Sequence, residues 1–534
     1  MATVAERWDG CASGYTHTKD LEGRDVRLKP NSIWRARALA IALMVMALAS
    51  CDRIGGERPL VVVFDDLPVS LDPHLQNHSV TWSLLGNFYD SLVRFSPVMK
   101  LEPALAVSWK QVTPTRWRLV LRQGVFFHDG QPFGARDVVA SFHRAQTHPR
   151  SKVRHHLHGV TSVTADGDGA VIVETAQPSP DLLNRLTFLF VVPQSLVAAA
   201  EMAAPVGTGP YRFIARHPDG TVEAVGFDGW RGMPAIRRVN FVFYIDEDQA
   251  AQSFFDGRAD VCHLLPDDQV GSAEQRPDLR VEPQPRLAVQ LLVVNPSAAE
   301  GPARRALADP RVRRALLLAL DRGGWVGRVY RGNATVATQY VHPVVFGYDP
   351  EIAAVGYDPR QARALLAQAG FADGFEVTLG HGSLRSGVVE AIVADLERVG
   401  VRVRPVEANF GAVLDQGVQG KLPLLLYAWA CSTGDASDFL NSSIHTRDAA
   451  TGLGMENFAG FSNPALDALL DAADRELNPL RRRELLQSAQ RQVLAELPVL
   501  PLTIRWGFHG LSSRVEILTR HDERVWVAGF RWRR

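Results

Sequence analysis

The sequence predicts an α/β protein built from more than one domain. Short apolar stretches alternate with helical patterns, most clearly between residues 290 and 500, and this alternation is typical of α/β lobes. Of the residues, 46% are hydrophobic and 22% are charged, which is ordinary for a globular protein. The length that follows a predicted leader indicates two to four domains. We find no internal repeat and no low-complexity tract.

Strands are predicted where β-branched residues cluster or where apolar residues alternate. Residues 59–64 read PLVVVF, which is typical of a buried strand, and residues 116–121 alternate as a half-buried strand. Residues 160–175 predict two strands joined by an Asp-Gly-Asp-Gly turn. Further strands are expected at 124–130, after the 205–213 loop, and at 239–244, 290–295, 375–379, 401–406 and 422–429.

Helices are predicted where apolar residues recur every three or four positions behind a start signal. The first is expected at 83–93 and the second at 136–145, after the Pro132 and Gly134 breakers. A short helix is expected at 246–257. The second half of the chain is richer in helices, which are expected at 310–320, 359–369, 387–400, 463–474 and 479–496.

Residues 35–52 read RARALAIALMVMALASCD, a pattern that predicts export. The apolar core is too short to span a bilayer, which needs roughly 20 residues. Its Leu-Ala-Ser-Cys ending resembles a bacterial lipobox, which implies cleavage before Cys51 and lipidation of its thiol. An ordinary signal peptide that happens to end near a cysteine is the alternative. Asp52 resembles the signal that keeps lipoproteins at the inner membrane, and acidic residues within 1–34 indicate a start assigned too far upstream.

Several function classes are disfavoured by composition. The formal net charge is zero, so no nucleic-acid footprint is expected. We find no G-x-S-x-G or H-E-x-x-H motif and no persuasive Cys/His spacing, so neither an enzyme nor a cofactor is expected. His155, His156 and His158 invite a metal interpretation, but a solvated surface is the preferred one. Cys262 and Cys431 are expected to be buried thiols.

Four stretches together resemble the extracellular solute-binding proteins of peptide-type ABC transporters, the oligopeptide-, dipeptide- and nickel-binding family. They are residues 105–142 with a Trp, an alternating strand and a His-Asp-Gly turn, residues 207–211 (GTGPY), residues 309–322 (DPRVRRALLLALDR) and residues 461–473 (FSNPALDALLDAA). They occur in family order and cover nearly all of the chain after Cys51.

The resemblance implies a two-lobed periplasmic-binding-protein fold (type II, cluster C) with a hinge and a domain inserted in the first lobe. Domain I is expected at 59–92, 205–290 and 505–534, domain II at 93–204 and domain III at 291–504. Residues 1–50 are expected to be removed and 51–58 to form a lipidated linker. The implied partners are ABC permease subunits and a captured ligand, with a monomer held at the membrane only by its lipid anchor.

The segment 427–440, YAWACSTGDASDFL, carries the ligand prediction. In peptide-binding relatives, an Asp three residues after the strand's Trp pairs with the peptide α-ammonium. Here Trp429 is present, but Ser432 stands at that position. Either Asp435 takes over the charge, or the ligand is not an ordinary peptide. The alternative for Asp435 itself is a structural role in a turn or at a helix cap. Alternation places Tyr427 and Trp429 on one face of the strand, where they line a pocket or pack in the core.

Two further residues are candidates for ligand contact by resemblance. Arg385 precedes a predicted helix, in a region where relatives use an Arg for the ligand carboxylate. Asn457 precedes the Ser-Asn-Pro helix start. A peptide is the first expectation for the ligand, and an opine, a sugar-phosphate conjugate, glutathione, haem or a metal chelate is the alternative. A ligand sensor without transport is a further alternative.

Overall fold

The structure of the protein is a computed structural model, and it describes residues 18–19, 25–26, 58–382 and 387–533. The chain divides into two compact units, Met1–Arg58 and Pro59–Arg534. In the first, two short strands, β1 (Thr18–Lys19) and β2 (Asp25–Val26), pair in antiparallel fashion. The predicted export segment with Cys51, and Arg385, lie outside the described residues. All that follows concerns the second unit.

Strands in the second unit are numbered in chain order. They are β3 (Leu60–Phe64), β4 (Val93–Phe95), β5 (Leu101–Pro103), β6 (Ala106–Thr113), β7 (Arg116–Leu121), β8 (Val160–Ala165), β9 (Ala170–Thr175), β10 (Tyr211–Arg216), β11 (Val222–Gly226), β12 (Arg238–Phe243), β13 (Val261–Cys262), β14 (Leu279–Val294), β15 (Ala334–Val336), β16 (Phe375–His381), β17 (Val401–Glu407), β18 (Leu424–Ala430), β19 (Val499–Ser512), β20 (Val515–Glu516) and β21 (Arg531–Trp532).

The α-helices are numbered in the same way. They are α1 (Ser79–Leu85), α2 (Ala135–Thr147), α3 (Leu182–Leu186), α4 (Glu247–Phe255), α5 (Val270–Glu274), α6 (Gly301–Ala308), α7 (Pro310–Ala319), α8 (Arg322–Arg328), α9 (Pro359–Gln368), α10 (Val388–Glu397), α11 (Phe410–Val418), α12 (Ser437–Phe439), α13 (Pro464–Arg475) and α14 (Pro479–Glu496). No helix in the described part of the chain has both the length and the apolarity needed to cross a membrane.

One large mixed sheet organises the fold. Its strand order is β10-β11-β12-β3-β13-β19-β14-β18-β16-β17, with β15 added beside β19. Strands β12, β3 and β13 are parallel at one end, and β17, β16 and β18 are parallel at the other. We call the half that contains β3 the first lobe and the half that contains β16 the second lobe. Helices cover the strands, as the α/β prediction requires.

Strands β14 and β19 run through both lobes. The beginning of β14 pairs with the end of β19, and the end of β14 pairs with the beginning of β19. The register of this pairing shifts between Pro285 and Val289, and such irregularities bend a ladder locally. The two strands therefore form the connection about which the lobes can hinge. Because both strands belong to both lobes, the exact domain bounds remain a prediction.

A separate antiparallel sheet, in the order β6-β7-β9-β8, lies within residues 106–175. With α2 and α3 it forms a compact part of the chain inserted between β3 and β10, which we call the inserted segment (residues 106–190). Its buried residues share one hydrophobic cluster with β3, β12 and α1. The inserted segment is thus packed on the first lobe.

The second lobe's helices begin with a recurrent signal. Asp309, Asp358, Asn463 and Asn478 each precede a proline, and each side chain accepts hydrogen bonds from backbone N–H groups of the first helical turn. These caps satisfy donors that have no partner inside the helix, and proline suits the first position because it lacks an N–H. The helix starts predicted at residues 310, 359 and 479 are confirmed.

Two predicted elements were wrong. The helix expected at 83–93 lies earlier, at Ser79–Leu85, and Val93–Phe95 forms strand β4 instead. The strand expected at 124–130 is reduced to one isolated bridge between Phe126 and Pro132. The strand expected at 290–295 is the last part of the much longer β14, whose Pro283 and Pro285 obscure the pattern in the sequence.

Candidate functional site

The lobes meet at a polar junction between α3 and the loop that follows β18. Strand β18 ends at Ala430, and the chain turns through residues 431–436 into α12. The side-chain amide of Asn184, on α3, donates a hydrogen bond of 2.7 Å to the backbone carbonyl of Thr433. We call Asn184, Thr433, Asp435 and Asp438 the interlobe junction. It joins the inserted segment directly to the second lobe.

Trp429 and Ser432 lie beside this junction with solvent access. Ser432 is exposed and Trp429 is half-buried. The Trp429 ring packs edge-on against Phe439, with 5.8 Å between ring centroids. Its indole nitrogen is buried without a hydrogen-bond partner in the described structure. An indole N–H in this state is a donor available to a ligand.

Tyr427 and Asn457 were candidates for ligand contact, with core packing as the alternative for Tyr427, and the structure buries both side chains. Tyr427 is 6% exposed and its ring packs edge-on against Phe458. Asn457 is buried, and its amide donates to the backbone carbonyls of His445 and Phe461. Alternation correctly put Tyr427 and Trp429 on one face, but only the strand's end reaches the surface.

Asp435 is neutralised within the protein. Arg482, on α14, donates to both carboxylate oxygens, at 2.5 and 2.9 Å. The Ser437 backbone N–H and hydroxyl also donate to Asp435, at 3.0 and 2.8 Å, so the carboxylate holds the first residue of α12. Burial acts to lower the pKa of Arg482, but the Asp435 charge outweighs it and the pKa is raised. Asp435 therefore has little charge left for a ligand ammonium, contrary to the first expectation.

Asp438 is the carboxylate that the sequence analysis missed. Its one hydrogen bond with another side chain comes from the Thr433 hydroxyl, at 3.0 Å, and the described residues provide no ion pair for it. Burial, together with the negative charges of Asp435 and Asp181, raises the pKa of Asp438 to about 7. A carboxylate in this state gains most from a cationic partner. The sequence shows Asp438 within YAWACSTGDASDFL, but it does not show that the described residues provide no cation for it.

Across the hinge, Asp65 directly follows β3 at the carboxyl end of the first lobe's parallel strands. One of its carboxylate oxygens is buried without a hydrogen bond and lies 3.6 Å from the ring nitrogen Nδ1 of His263. Burial opposes ionisation, but the contacts with His263 prevail and lower the pKa of Asp65. Ligands in open α/β sheets bind outside the carboxyl ends of strands, so Asp65 is a second carboxylate that sequence analysis missed.

A groove of about 880 Å³ opens at the junction. Its walls come from the inserted segment and the preceding β4–β5 turn on one side, and from the second lobe on the other. Lining residues include Lys100, Trp117, Asn184, Phe346, Gly434 and Arg482. The volume falls within the range of about 300–1,000 Å³ typical of small-molecule sites, and such sites often lie between domains.

The remaining sequence predictions concern metals and thiols. In the described parts of the chain, no group of three or more His, Cys, Asp or Glu residues has a geometry that could hold a metal ion. His156 stacks on Phe188 with 4.2 Å between ring centroids, so it packs within the inserted segment, while His155 and His158 are exposed. Cys262 and Cys431 are free and buried, as expected.

Two lobes joined by paired hinge strands, with polar groups at their boundary, define the class of periplasmic binding proteins. Within this class the chain belongs to the bacterial extracellular solute-binding proteins, family 5, because the model of the family's middle region matches residues 100–451. It is therefore an extracellular solute-binding protein of the ABC-transporter type and not an enzyme. The family resemblance and the fold class are confirmed.

Relatives in this family have different ligands in their names. The chain is 26% identical to heme-binding protein A of Haemophilus influenzae, covering 90% of this chain and 95% of the relative. It is 26% identical to di/tripeptide-binding protein 2 of Pseudomonas aeruginosa, covering 87% and 93%. It is 27% identical to the glutathione-binding protein GsiB of Pectobacterium atrosepticum, covering 86% and 91%.

Solved structures share the fold at lower identity. HbpA2 from Haemophilus parasuis superposes with a TM-score of 0.77 at 24% identity, covering 89% of this chain and 100% of that one. The periplasmic binding protein DppA from Helicobacter pylori, in complex with the peptide STSA, gives 0.73 at 23% identity, covering 89% and 98%. At these identities the likeness establishes the fold alone.

Proposed function

We propose that this protein captures a peptide or peptide-like solute between its lobes and delivers it to the permease subunits of an ABC importer. The observation that carries the proposal is Asp438, a half-buried carboxylate at the junction where the lobes meet, for which the described residues provide no ion pair. A ligand that contacts both lobes stabilises the closed state only, so binding shifts the population toward closure. The permease then recognises the closed shape.

The ligand's ammonium group pairs with Asp438 in this proposal. Asp435 cannot take that role because Arg482 already neutralises it, and Ser432 has no charge. Trp429 supplies an apolar wall and an indole donor, and Ser432 supplies a hydroxyl at the open edge. Arg385 remains the predicted partner of a ligand carboxylate from the second lobe. Asp65 faces the same boundary from the first lobe.

The second candidate is a non-peptide ligand in the same fold. Ser432 favours it, because the position that pairs with a peptide ammonium in relatives is uncharged here. Relatives named for heme and for glutathione support this candidate, because these ligands are not simple peptides. The two candidates differ in one requirement: a peptide needs a carboxylate partner for its amino terminus, whereas haem does not.

For location, we propose a monomer in the periplasm, anchored at the inner membrane by lipid on Cys51. In an organism with one membrane, the same anchor would hold it at the outer face of that membrane. Two or more acyl chains give stable anchoring, since each buried CH₂ contributes about 0.8 kcal/mol. The anchor keeps the binding protein near its permease.

The test is mass spectrometry of the ligand released from the purified Cys51→Ala protein, followed by calorimetric titration. The titration uses the dipeptide Met-Leu, reduced glutathione and haemin as probes. We expect a mixture of short peptides, and binding of Met-Leu or glutathione that weakens at least tenfold in Asp438→Asn. A single non-peptide species, with no binding of either peptide, would overturn peptide capture in favour of the second candidate.

A further inference from the structure

A second charged site lies in the C-terminal segment of residues 520–526, which runs along the boundary between the lobes. The ring of His521 lies 5.3 Å from the ring of His342, in the second lobe. The carboxylate of Glu523 lies 3.3 Å from Nε of Arg286, on the hinge strand β14. Arg524 belongs to this segment, and its guanidinium lies against Trp82 of the first lobe and Phe188 of the inserted segment.

Arg524 has aromatic neighbours but no hydrogen-bond acceptor. Its guanidinium carbon lies 5.4 Å from the ring centroid of Trp82 and 5.2 Å from that of Phe188. The described structure gives this guanidinium neither a hydrogen bond nor an ion pair. Arg524 is half-buried. Two buried arginines differ from it: Arg144 donates to both oxygens of Asp72, and Arg482 does the same to Asp435.

A small cavity of about 60 Å³ adjoins Arg524. The residues that line it include Trp82, Tyr89, Arg94, Phe190, Arg524 and Trp526. One water molecule needs a cavity of roughly 10–15 Å³, so this cavity has room for a carboxylate group. The aromatic walls exclude solvent and hold the guanidinium in place by cation–π contact.

The acids around this cavity are already paired with other arginines. Asp90 accepts from Arg231 at 2.7 and 3.1 Å. Asp522 accepts from Arg520 at 2.8 and 2.6 Å. Arg524 is thus the cation in this wall that is left without a carboxylate. Burial, reinforced by the positive charge of Arg520, lowers the pKa of Arg524 despite the opposing charge of Asp522.

We propose that Arg524 binds a carboxylate of the captured solute, so that the protein selects anionic ligands. The inference rests on the proposed function and narrows its substrate class to solutes with a free carboxylate. A guanidinium presents two parallel N–H donors that match a carboxylate. A charge buried without a partner is unfavourable, and an incoming carboxylate offsets that cost. The empty volume beside Trp82 and Trp526 is where the carboxylate would lie.

The experiment compares acids with their esters by isothermal titration calorimetry. The probes are Met-Leu with its methyl ester and reduced glutathione with its diethyl ester. The proteins are the wild type, Arg524→Gln, Arg524→Lys and a matched control, Arg404→Gln. Arg404 is exposed on β17 with a single ion pair to Glu376. Thermal unfolding of each variant, measured without probe, separates loss of binding from loss of fold.

We expect wild type and Arg404→Gln to bind the acid of at least one pair at least tenfold more tightly than its ester. In Arg524→Gln the acid should lose at least tenfold in affinity while the ester is unaffected, and Arg524→Lys should be intermediate. If Arg524→Gln keeps the preference for the acid, the inference is wrong and the proposed function stands. If the wild type binds no probe, peptide capture fails and this inference fails with it.

Discussion

Arg482 and Asp435 form a bidentate ion pair in which both side chains are nearly inaccessible to solvent. The pair ties α14 to the loop that follows β18 and thereby fixes Ser432 and Thr433 beside α3. A buried pair of this kind contributes little net stability over an apolar pair, but removing one partner leaves an uncompensated charge. The geometry of the interlobe junction therefore depends on a residue 47 positions away in sequence.

Arg482→Ala should destabilise the fold by about 3–5 kcal/mol, because Asp435 would remain buried without its cation. The matched control is Arg483→Ala. Arg483 is the next residue along α14, is exposed and contacts the Phe346 ring at 5.2 Å. The control should change the free energy of unfolding by less than about 1 kcal/mol. Urea unfolding followed by circular dichroism measures both, and equal effects would refute the structural role of the pair.

The GTGPY segment makes a second stability prediction. A Cβ on Gly209 would lie 2.5 Å from the Phe88 carbonyl carbon, and the Gly209 N–H donates to the Phe88 oxygen at 2.9 Å. Gly209→Ala should therefore destabilise by about 1–3 kcal/mol, since the backbones must separate. Gly271, on α5, has open space around its Cβ position. Gly271→Ala should be neutral or slightly stabilising. If Gly271→Ala lost as much stability as Gly209→Ala, this account would be wrong.

Much of the fold was predictable because its local signals agree with its tertiary structure. The Asp-Pro and Asn-Pro starts predict the second lobe's helices, and the bounds expected for α14, residues 479–496, match Pro479–Glu496. Strand β14 was only partly predictable. Its first half contains Pro283 and Pro285 and depends on pairing with β19 more than 200 residues later. Propensity in a single sequence carries no information on such a pairing.

The candidate site was predictable only in outline. The structure places the segment 427–440 beside the lobe boundary, with Trp429 and Ser432 accessible there, and its role in ligand binding stays a prediction. Which carboxylate lacks a cation depends on distant partners: Arg482 neutralises Asp435, whereas the described residues provide Asp438 with hydrogen bonds from Thr433 but no ion pair. The sequence places Asp435 and Asp438 close together, but it does not say which of the two a distant arginine reaches.

Cys51→Ala should move the protein from the membrane fraction to the soluble fraction. The reason is that the Leu-Ala-Ser-Cys ending supplies a thiol for lipidation, and without the thiol no acyl chain is added. Cell fractionation with immunoblotting measures the change. Cys262→Ala is a suitable control, because that thiol is buried and distant from the export segment in sequence. Membrane retention of Cys51→Ala would exclude the lipobox.

Trp429→Ala should weaken binding of the solute at least tenfold, because it removes both an apolar wall and the unpartnered indole donor. Trp429→Phe keeps the wall and loses only the donor, so it should have the smaller effect. The readout is the ligand-induced shift of the unfolding temperature, compared with each variant's own value without ligand. An unchanged shift in Trp429→Ala would place the ligand elsewhere along the boundary.

The pH dependence of stability tests Asp438. Its pKa is raised from 3.8 to about 7 in the folded state, so between these values the folded protein holds a proton that the unfolded chain has released. Stability from this group is therefore greatest at acidic pH and falls as pH rises toward 7. Asp438→Asn should remove that fall and should stabilise the ligand-free protein at pH 7.5.

Asp474 provides a matched control for this prediction. Burial also raises the pKa of Asp474 to about 7, and its carboxylate accepts from the Asn441 amide at 2.7 Å. Asp474→Asn should reduce the pH dependence of stability in the same direction. We expect ligand affinity to fall below pH 7, because protonated Asp438 no longer attracts an ammonium group. Asp438→Asn should abolish this fall in affinity, whereas Asp474→Asn should leave it in place. Equal effects of the two variants on affinity would show that Asp438 does not contact the ligand.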